Sequence, residues 1–269
     1  MLTVLDQLSH SELLEMSKEF QNSRPFNYIV LDNFLENDVA LKLAAEFPNF
    51  DAENIWYEYE NPLEIKRATN NWNVFPAVTY QYFKHVLSDD FTRKIEIMLF
   101  GEELGKLEAD IGLHGGGFHT HKNGGRLNPH LDYSIHPKLG LQRTANLILY
   151  INPHWKPAYG GAFGLWEHEA TTDSPGELSE VVDCLFNRAV IFNTTQNSWH
   201  GICNEVSSPE GETRNSLATY YLMPPANTAD PRMKVKYAPT EEQRGDKEIE
   251  KLIEERQSIL TFDKVYKHK

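Results

Sequence analysis

Short apolar segments separated by turn residues fill the middle of the chain, and they restrict its fold more than any other feature. Between residues 113 and 223, apolar runs of five to ten residues alternate with Gly, Pro and Asn. Eight candidate strands result, at residues 113–121, 127–131, 145–151, 162–166, 178–182, 189–193, 198–203 and 214–223. Many short strands with frequent turns predict a β-sandwich, a jelly roll or a small barrel.

Helices are predicted before this β region. Ser9 and Glu12 have the spacing of a capping box, which predicts that a first helix begins there and continues to Phe20. Apolar residues at helical spacing predict two further helices over residues 38–47 and 88–99.

The remaining segments are less regular. Residues 26–31 predict a short strand, and the aromatic, Asn-rich residues 56–75 are expected to form a loop. Residues 241–260 predict a charged helix on the surface. We therefore divide the chain into a mainly helical region, a β core and a polar tail with a helix, which we expect to be integrated into one domain: residues 1–105, 106–225 and 226–269.

Charge and cysteine content exclude several classes of protein. Asp and Glu number 39 against 26 Lys and Arg, so the net charge is −13, which argues against nucleic acid and anionic membranes as partners. Two cysteines cannot build a disulfide framework or a Cys-rich metal site. The first residues contain no apolar signal core, so we expect a soluble, cytoplasmic protein.

The histidines indicate a metal site. Eight of the eleven fall between residues 114 and 200. His130 and Asp132 are two residues apart, which places both side chains on one face of a strand. His200 lies on another predicted strand. Two imidazoles and one carboxylate on one face form the facial triad that is typical of non-haem Fe(II) oxygenases.

An arginine downstream of the triad indicates an anionic ligand. Arg214 and Ser216 share one face of the last predicted strand. A guanidinium inside a barrel needs an anion, and its bidentate geometry suits a dicarboxylic acid. Alternatively, Arg214 faces solvent or pairs with Glu205 or Glu212.

Several segments, taken in order, resemble the prolyl-hydroxylase-like branch of the Fe(II)/2-oxoglutarate-dependent dioxygenases. The resemblance covers about residues 106–223, and residues 25–35 resemble the start of that family's domain. The segments that carry it are His130-Leu-Asp132 and residues 146–155, 159–166, 187–192, 199–201 and 214–221.

The resemblance implies a mainly β protein with flanking helices and a double-stranded β-helix core, which is a distorted jelly roll. It implies that Fe(II) is held by His130, Asp132 and His200. It also implies that the far carboxylate of 2-oxoglutarate is bound by Arg214, with further contacts from Ser216, Tyr150 and Asn146.

Arg143 is an alternative anchor for the same carboxylate. The strand register that turns Asn146 and Tyr150 inward is expected to turn Arg143 outward, so Arg214 is preferred.

The activity implied by the resemblance is an oxygenation. The expected enzyme uses O2 and 2-oxoglutarate, releases succinate and CO2, and hydroxylates an unactivated C–H bond of a small molecule such as an amino acid or a natural-product intermediate. Related halogenases carry a small residue in place of the carboxylate ligand, so Asp132 favours hydroxylation, desaturation or cyclisation over chlorination. A homodimer is a possible assembly.

Three alternatives remain open. The substrate could be a protein, as for a peptidyl hydroxylase. The chain could be a jelly-roll binding module without catalysis, with Trp155 and Trp166 as platforms for a ligand. His119-Thr-His121 has the His-x-His pattern of a cupin, but no Glu follows it, so these two histidines are expected either to line the substrate entrance or to form hydrogen bonds within their loop.

Overall fold

Two antiparallel sheets form the centre of the molecule. The computed structural model describes residues 1–195 and 197–257, and within them fourteen strands form a nine-stranded main sheet and a five-stranded minor sheet. The strands are β1 (Tyr28–Leu31), β2 (Tyr57–Asn61), β3 (Glu64–Thr69), β4 (Glu108–Ala109), β5 (Gly117–His121), β6 (Arg126–Leu127), β7 (His130–Leu131), β8 (Gln142–Tyr150), β9 (Phe163–Glu169), β10 (Ser174–Val182), β11 (Arg188–Asn193), β12 (His200–Ile202), β13 (Arg214–Met223) and β14 (Lys236–Tyr237).

The order of the strands is that of a double-stranded β-helix. In the main sheet the order is β1-β11-β8-β13-β5-β3-β2, with β4 paired to β13 and β6 paired to β3. In the minor sheet the order is β10-β9-β12-β7-β14. From β7 to β13 the chain passes back and forth between the two sheets in the manner of a jelly roll, with β9 and β10 forming a hairpin within the minor sheet. The predicted fold class is therefore confirmed.

The helices cover the outer face of the main sheet. They are α1 (His10–Asn22), α2 (Asn37–Glu46), α3 (Ala77–Val86) and α4 (Asp89–Phe100). A further helix, α5 (Lys247–Gln257), packs instead against β14 of the minor sheet. The capping box predicted for α1 is present, since Ser9 Oγ accepts from the Glu12 amide and the Glu12 carboxylate accepts from the Ser9 amide. None of the helices in the described residues has the length and apolar character needed to cross a bilayer.

Alternation along the strands separates the core from the site. On β8, Leu147 and Leu149 belong to the core shared with the helices, which also contains Phe20 and Phe91. Tyr150 points to the opposite face, into a second cluster between the two sheets. Side chains that point to the same face as Tyr150 form the concave face that carries the candidate site.

Two sequence predictions differ from the structure. Residues 56–75 are not a single loop, because residues 57–69 form the β2–β3 hairpin and Trp72–Val74 form a short 3-10 helix. Strand β3 pairs with β5 of the main sheet. The helix predicted over residues 241–260 begins as a short 3-10 helix and resumes as α5 after Gly245, whose φ is +82°. The predicted end of that helix, residues 258–260, lies outside the described residues.

Gly117 allows the hairpin to approach the core, and this predicts a stability effect. Its φ is +86°, and an added Cβ would lie 2.1 Å from the Thr69 carbonyl oxygen. We expect Gly117→Ala to lower the free energy of unfolding by about 3 kcal/mol, measured by chemical denaturation. Gly140→Ala is the control, because Gly140 has φ +69° but open space around it, so only the backbone cost of about 1–2 kcal/mol applies. An equal decrease in the free energy of unfolding for the two variants would contradict the steric role of Thr69.

Candidate metal centre and cosubstrate pocket

The structure brings His130, Asp132 and His200 together between the two sheets. His130 begins β7 and lies directly opposite His200 of β12, so both imidazoles project from the same face. The candidate ligand atoms of the three residues all lie within 4.8 Å of one another. His200 Nε2 is 3.3 Å from Asp132 Oδ2, and His130 Nε2 is 3.8 Å from Asp132 Oδ1.

Backbone carbonyls fix the orientation of both imidazoles. His130 Nδ1 lies 2.9 Å from the Asn128 carbonyl oxygen, and His200 Nδ1 lies 2.7 Å from the Ser198 carbonyl oxygen. A carbonyl can only accept, so each Nδ1 carries the hydrogen and each Nε2 presents its lone pair to the centre. Burial, together with the neighbouring His200, lowers the pKa of His130 to about 3, which keeps its ring neutral.

The Asp132 carboxylate is held ionised. Its Oδ2 accepts a hydrogen bond of 2.8 Å from the Asn146 amide and lies 3.1 Å from Arg143 Nη2. Burial is the largest single effect and would raise the pKa of Asp132, but Arg143, His200 and His130 together outweigh it and hold that pKa well below its usual range. Two neutral nitrogens and one carboxylate oxygen are a donor set that fits Fe(II).

Arg143 points inward, so its predicted outward orientation is wrong. Strand β8 has a bulge at this point: Ala145 lies opposite Tyr221, whereas Arg143 lies opposite the next residue, Leu222. The extra residue reverses the alternation, so Arg143 and Asn146 share a face although they are three residues apart. Arg143 is 3% exposed.

Asn146 was predicted to contact 2-oxoglutarate. In the structure its side chain lies between Arg143 and the metal-centre residue Asp132 and contacts both. Its side-chain oxygen accepts a 2.7 Å hydrogen bond from Arg143 Nε, while its amide donates to Asp132. The amide thus links the two charged groups and fixes the carboxylate. The Asp132 carbonyl is in turn bound by Arg232 at 2.8 Å, which the sequence analysis did not identify.

Arg214 occupies a separate buried pocket on the same concave face. Its Nε donates to the Gly161 carbonyl at 2.6 Å and lies 3.2 Å from Cys184 Sγ, and its Nη2 is 3.4 Å from the Tyr150 hydroxyl. Arg214 is 5% exposed. Within residues 1–195 and 197–257 no carboxylate forms an ion pair with it, and Glu205 pairs with Arg126 instead.

This pocket needs a glycine at position 161. A Cβ on Gly161 would lie 2.7 Å from Arg214 Cδ, so the glycine lets the guanidinium fold against the backbone. A buried guanidinium without an acidic partner is costly unless a ligand supplies the anion. The pocket is therefore complementary to a carboxylate.

The other predicted contacts line the same face. Ser216 lies opposite Tyr150 on β8 and opposite His119 on β5, and Arg214 lies opposite His121. His119 and His121 belong to no group of three metal-ligating side chains among the described residues. Trp155 is 7% exposed and packs in the core, so it offers no open platform for a ligand.

Comparison with known proteins assigns this arrangement to a family. Residues 116–222 match the model of the 2OG-Fe(II) oxygenase superfamily, and this segment contains the triad, Arg143 and Arg214. These residues form a 2OG-Fe(II) oxygenase domain. Fe(II) and 2-oxoglutarate are therefore its cofactor and cosubstrate. A search of curated protein sequences finds no match to the oxygenase chain.

Solved structures share the fold of this oxygenase. A Pseudomonas putida prolyl-4-hydroxylase is 19% identical, with a TM-score of 0.53 over 80% of this chain and 100% of the other. A Trichoplax adhaerens prolyl hydroxylase, solved with a peptide of hypoxia inducible factor, is 13% identical, with a TM-score of 0.53 over 79% and 91%. The epimerase SnoN of nogalamycin biosynthesis is 12% identical, with a TM-score of 0.52 over 87% and 88%. The fold is that of the prolyl-hydroxylase-like branch, as predicted.

Proposed function

We propose that the oxygenase hydroxylates an unactivated C–H bond of a small molecule, such as an amino acid or a natural-product intermediate, and releases succinate and CO2. The observation that supports this most strongly is the buried Arg214. It has no acidic partner in the described part of the chain, and it lies on the inner face of the main sheet, opposite the minor sheet that carries the two histidines of the triad. A metal centre beside an anion pocket suits a cosubstrate that is both a metal chelator and a dicarboxylate.

The triad would hold the iron through His130 Nε2, His200 Nε2 and one oxygen of Asp132. Because Oδ2 of Asp132 already accepts from Asn146 and lies beside Arg143, we assign Oδ1 as the ligand oxygen. When bound, Fe(II) and 2-oxoglutarate would supply the electrons that activate O2, and O2 would be the oxidant for attack on a C–H bond. The chain keeps the carboxylate ionised, fixes both imidazole tautomers and excludes water from the buried centre.

The cosubstrate pocket would bind the far carboxylate of 2-oxoglutarate. The two Nη groups of Arg214 are available for a bidentate contact, since Nε is already committed to Gly161. The Tyr150 hydroxyl beside Nη2 can donate to the same carboxylate, and Ser216 lies next to Tyr150 in the sheet. A cation, a phenol and a hydroxyl would thus orient one end of the cosubstrate.

The covering of the metal centre favours a small substrate over a peptide. His130 and His200 are 6% and 4% exposed. The ring of Tyr237 on β14 lies 5.4 Å from that of His130, and Arg256 of α5 lies 5.3 Å above Tyr237. Arg256 also pairs with Glu64 of β3, which closes this side of the site.

Anaerobic titration tests the proposal. Addition of Fe(II) and then 2-oxoglutarate to the apoprotein is expected to produce the weak visible charge-transfer band of the chelated metal. Incubation with labelled O2 and separate mixtures of free L-amino acids and proline-containing peptides is then expected to label a free amino acid with one oxygen atom. No band in a folded protein would overturn the cofactor assignment. Labelling of the peptides alone would instead establish a peptidyl hydroxylase, and an unlabelled dehydrogenated product would replace hydroxylation by desaturation.

A further inference from the structure

The concave face of the main sheet continues past the cosubstrate pocket as a polar surface formed by Lys66, His119 and His121, which we call the substrate wall. Ala68 of β3 lies opposite His119 of β5. Lys66 is two residues from Ala68, and His121 is two residues from His119, so all three polar side chains project from the face that also carries Arg214. Neighbouring strands are about 4.8 Å apart, which places β3 roughly 10 Å from the β13 strand of Arg214.

The ammonium of Lys66 is held in a fixed position. Its Nζ lies 3.1 Å from Glu64 Oε2 and 5.1 Å from the centre of the Tyr59 ring, and its side chain is 13% exposed. Although burial raises the pKa of Glu64, Lys66 and Arg256 lower it to about 2, so Glu64 is an ionised anchor for both cations. An ammonium has three N–H donors, so a contact with Glu64 leaves donors for a ligand.

The ring of His121 is neutral and is suited to donate a hydrogen bond. Burial, together with the charges of Arg214 and Lys66, lowers the pKa of His121 well below its usual value. Both ring nitrogens of His121 are buried and have no hydrogen-bond partner among the described residues. A buried polar group of this kind is stabilised when a ligand supplies its partner.

We propose that the substrate wall binds a carboxylate of the substrate, so that the oxygenase acts on a small carboxylic acid. Lys66 would supply the charge, and the neutral ring of His121 would donate a hydrogen bond. His119 would line the wall without donating, because its Nε2 lies 3.1 Å from the Gly115 carbonyl oxygen, which takes its only N–H. A carboxylate fits better than a phosphate, because the fixed anion of Glu64 beside the ammonium repels a dianion more strongly than a monoanion. This inference rests on the proposed function, since it requires Fe(II) and 2-oxoglutarate in the neighbouring pocket.

The test compares acids with their neutral analogues on the anaerobic Fe(II)–2-oxoglutarate complex. L-proline, L-leucine and L-phenylalanine, their carboxamides, and phenyl phosphate are titrated while the charge-transfer band is followed, because a substrate beside the metal perturbs that band. The variants are Lys66→Met, which removes the charge, and Lys66→Arg, which retains it. Lys122→Met is the matched control, since Lys122 is exposed and lies 5.0 Å from the Phe50 ring.

At least one acid is expected to shift the band where its carboxamide does not. Lys66→Met should raise the Kd of that acid about tenfold or more, whereas Lys66→Arg and Lys122→Met should change it by less than about threefold. Affinity for 2-oxoglutarate should remain unchanged in all variants, which shows that they fold. Any of four results would overturn the inference while leaving the band intact. These are equal binding of an acid and its carboxamide, binding of phenyl phosphate alone, no response to any acid, and unchanged binding of the acid in Lys66→Met. Failure of the band itself would overturn the proposed function, and the inference with it.

Discussion

Replacement of His130 by alanine is expected to abolish both Fe(II) binding and the decarboxylation of 2-oxoglutarate. The substitution removes one of two neutral nitrogens whose lone pairs are aimed at the centre by backbone carbonyls. Loss of a residue that only supports a ligand typically costs 10–100-fold in metal affinity, so loss of the ligand itself should cost more than about 100-fold. Calorimetric titration with Fe(II) and measurement of succinate release check the two effects separately.

The control for this experiment is His154→Ala, because His154 is exposed and lies outside the triad. Its metal affinity should equal that of the wild type. Circular dichroism of His130→Ala shows whether the pairing of β7 with β12 survives. A folded His130→Ala protein that binds Fe(II) as tightly as the wild type would place the metal elsewhere and remove the basis of the oxygenase mechanism.

The sequence predicted those elements whose side chains follow a simple period. Residues 214–223 were predicted as a strand, and β13 has the same bounds. The pattern was clear because the strand is buried along most of its length, while turn residues bound it on both sides. The His-x-Asp spacing and a distant His predicted the triad for the same local reason, since alternation on a strand fixes which side chains share a face.

The predictions failed where tertiary contacts decide the structure. The β2–β3 hairpin has polar strands, and β3 is held by pairing with β5, which is more than forty residues away in the sequence. The inward orientation of Arg143 depends on a β-bulge, and no residue of β8 predicts that bulge from the sequence. Glu64 and Arg256 form an ion pair although they are 192 residues apart, so the sequence does not indicate that these two side chains meet.

Arg143 and Arg214 are both buried cations. The structure predicts that replacing Arg143 weakens Fe(II) binding, whereas replacing Arg214 weakens 2-oxoglutarate binding. Arg143 contacts the carboxylate of Asp132 and the side-chain oxygen of Asn146. Arg143→Ala leaves the Asp132 carboxylate less firmly fixed, so Fe(II) affinity should fall about 10–100-fold. The KM for 2-oxoglutarate, measured at saturating Fe(II), should change by less than about threefold.

Arg214→Ala is expected to raise the KM for 2-oxoglutarate at least about 30-fold and to leave Fe(II) affinity near the wild-type value. The loss of one partner in a buried charge pair costs about 2–5 kcal/mol, and each 1.4 kcal/mol is a factor of ten in affinity. Arg214 contacts the Gly161 carbonyl, Cys184 and Tyr150 rather than a metal ligand, so its removal does not disturb the triad. Steady-state kinetics of succinate release at fixed, saturating Fe(II) measure the effect. If Arg143→Ala raised this KM as much as Arg214→Ala, the cosubstrate anchor would lie on β8 rather than β13, because the two arginines project from these different strands of the same sheet.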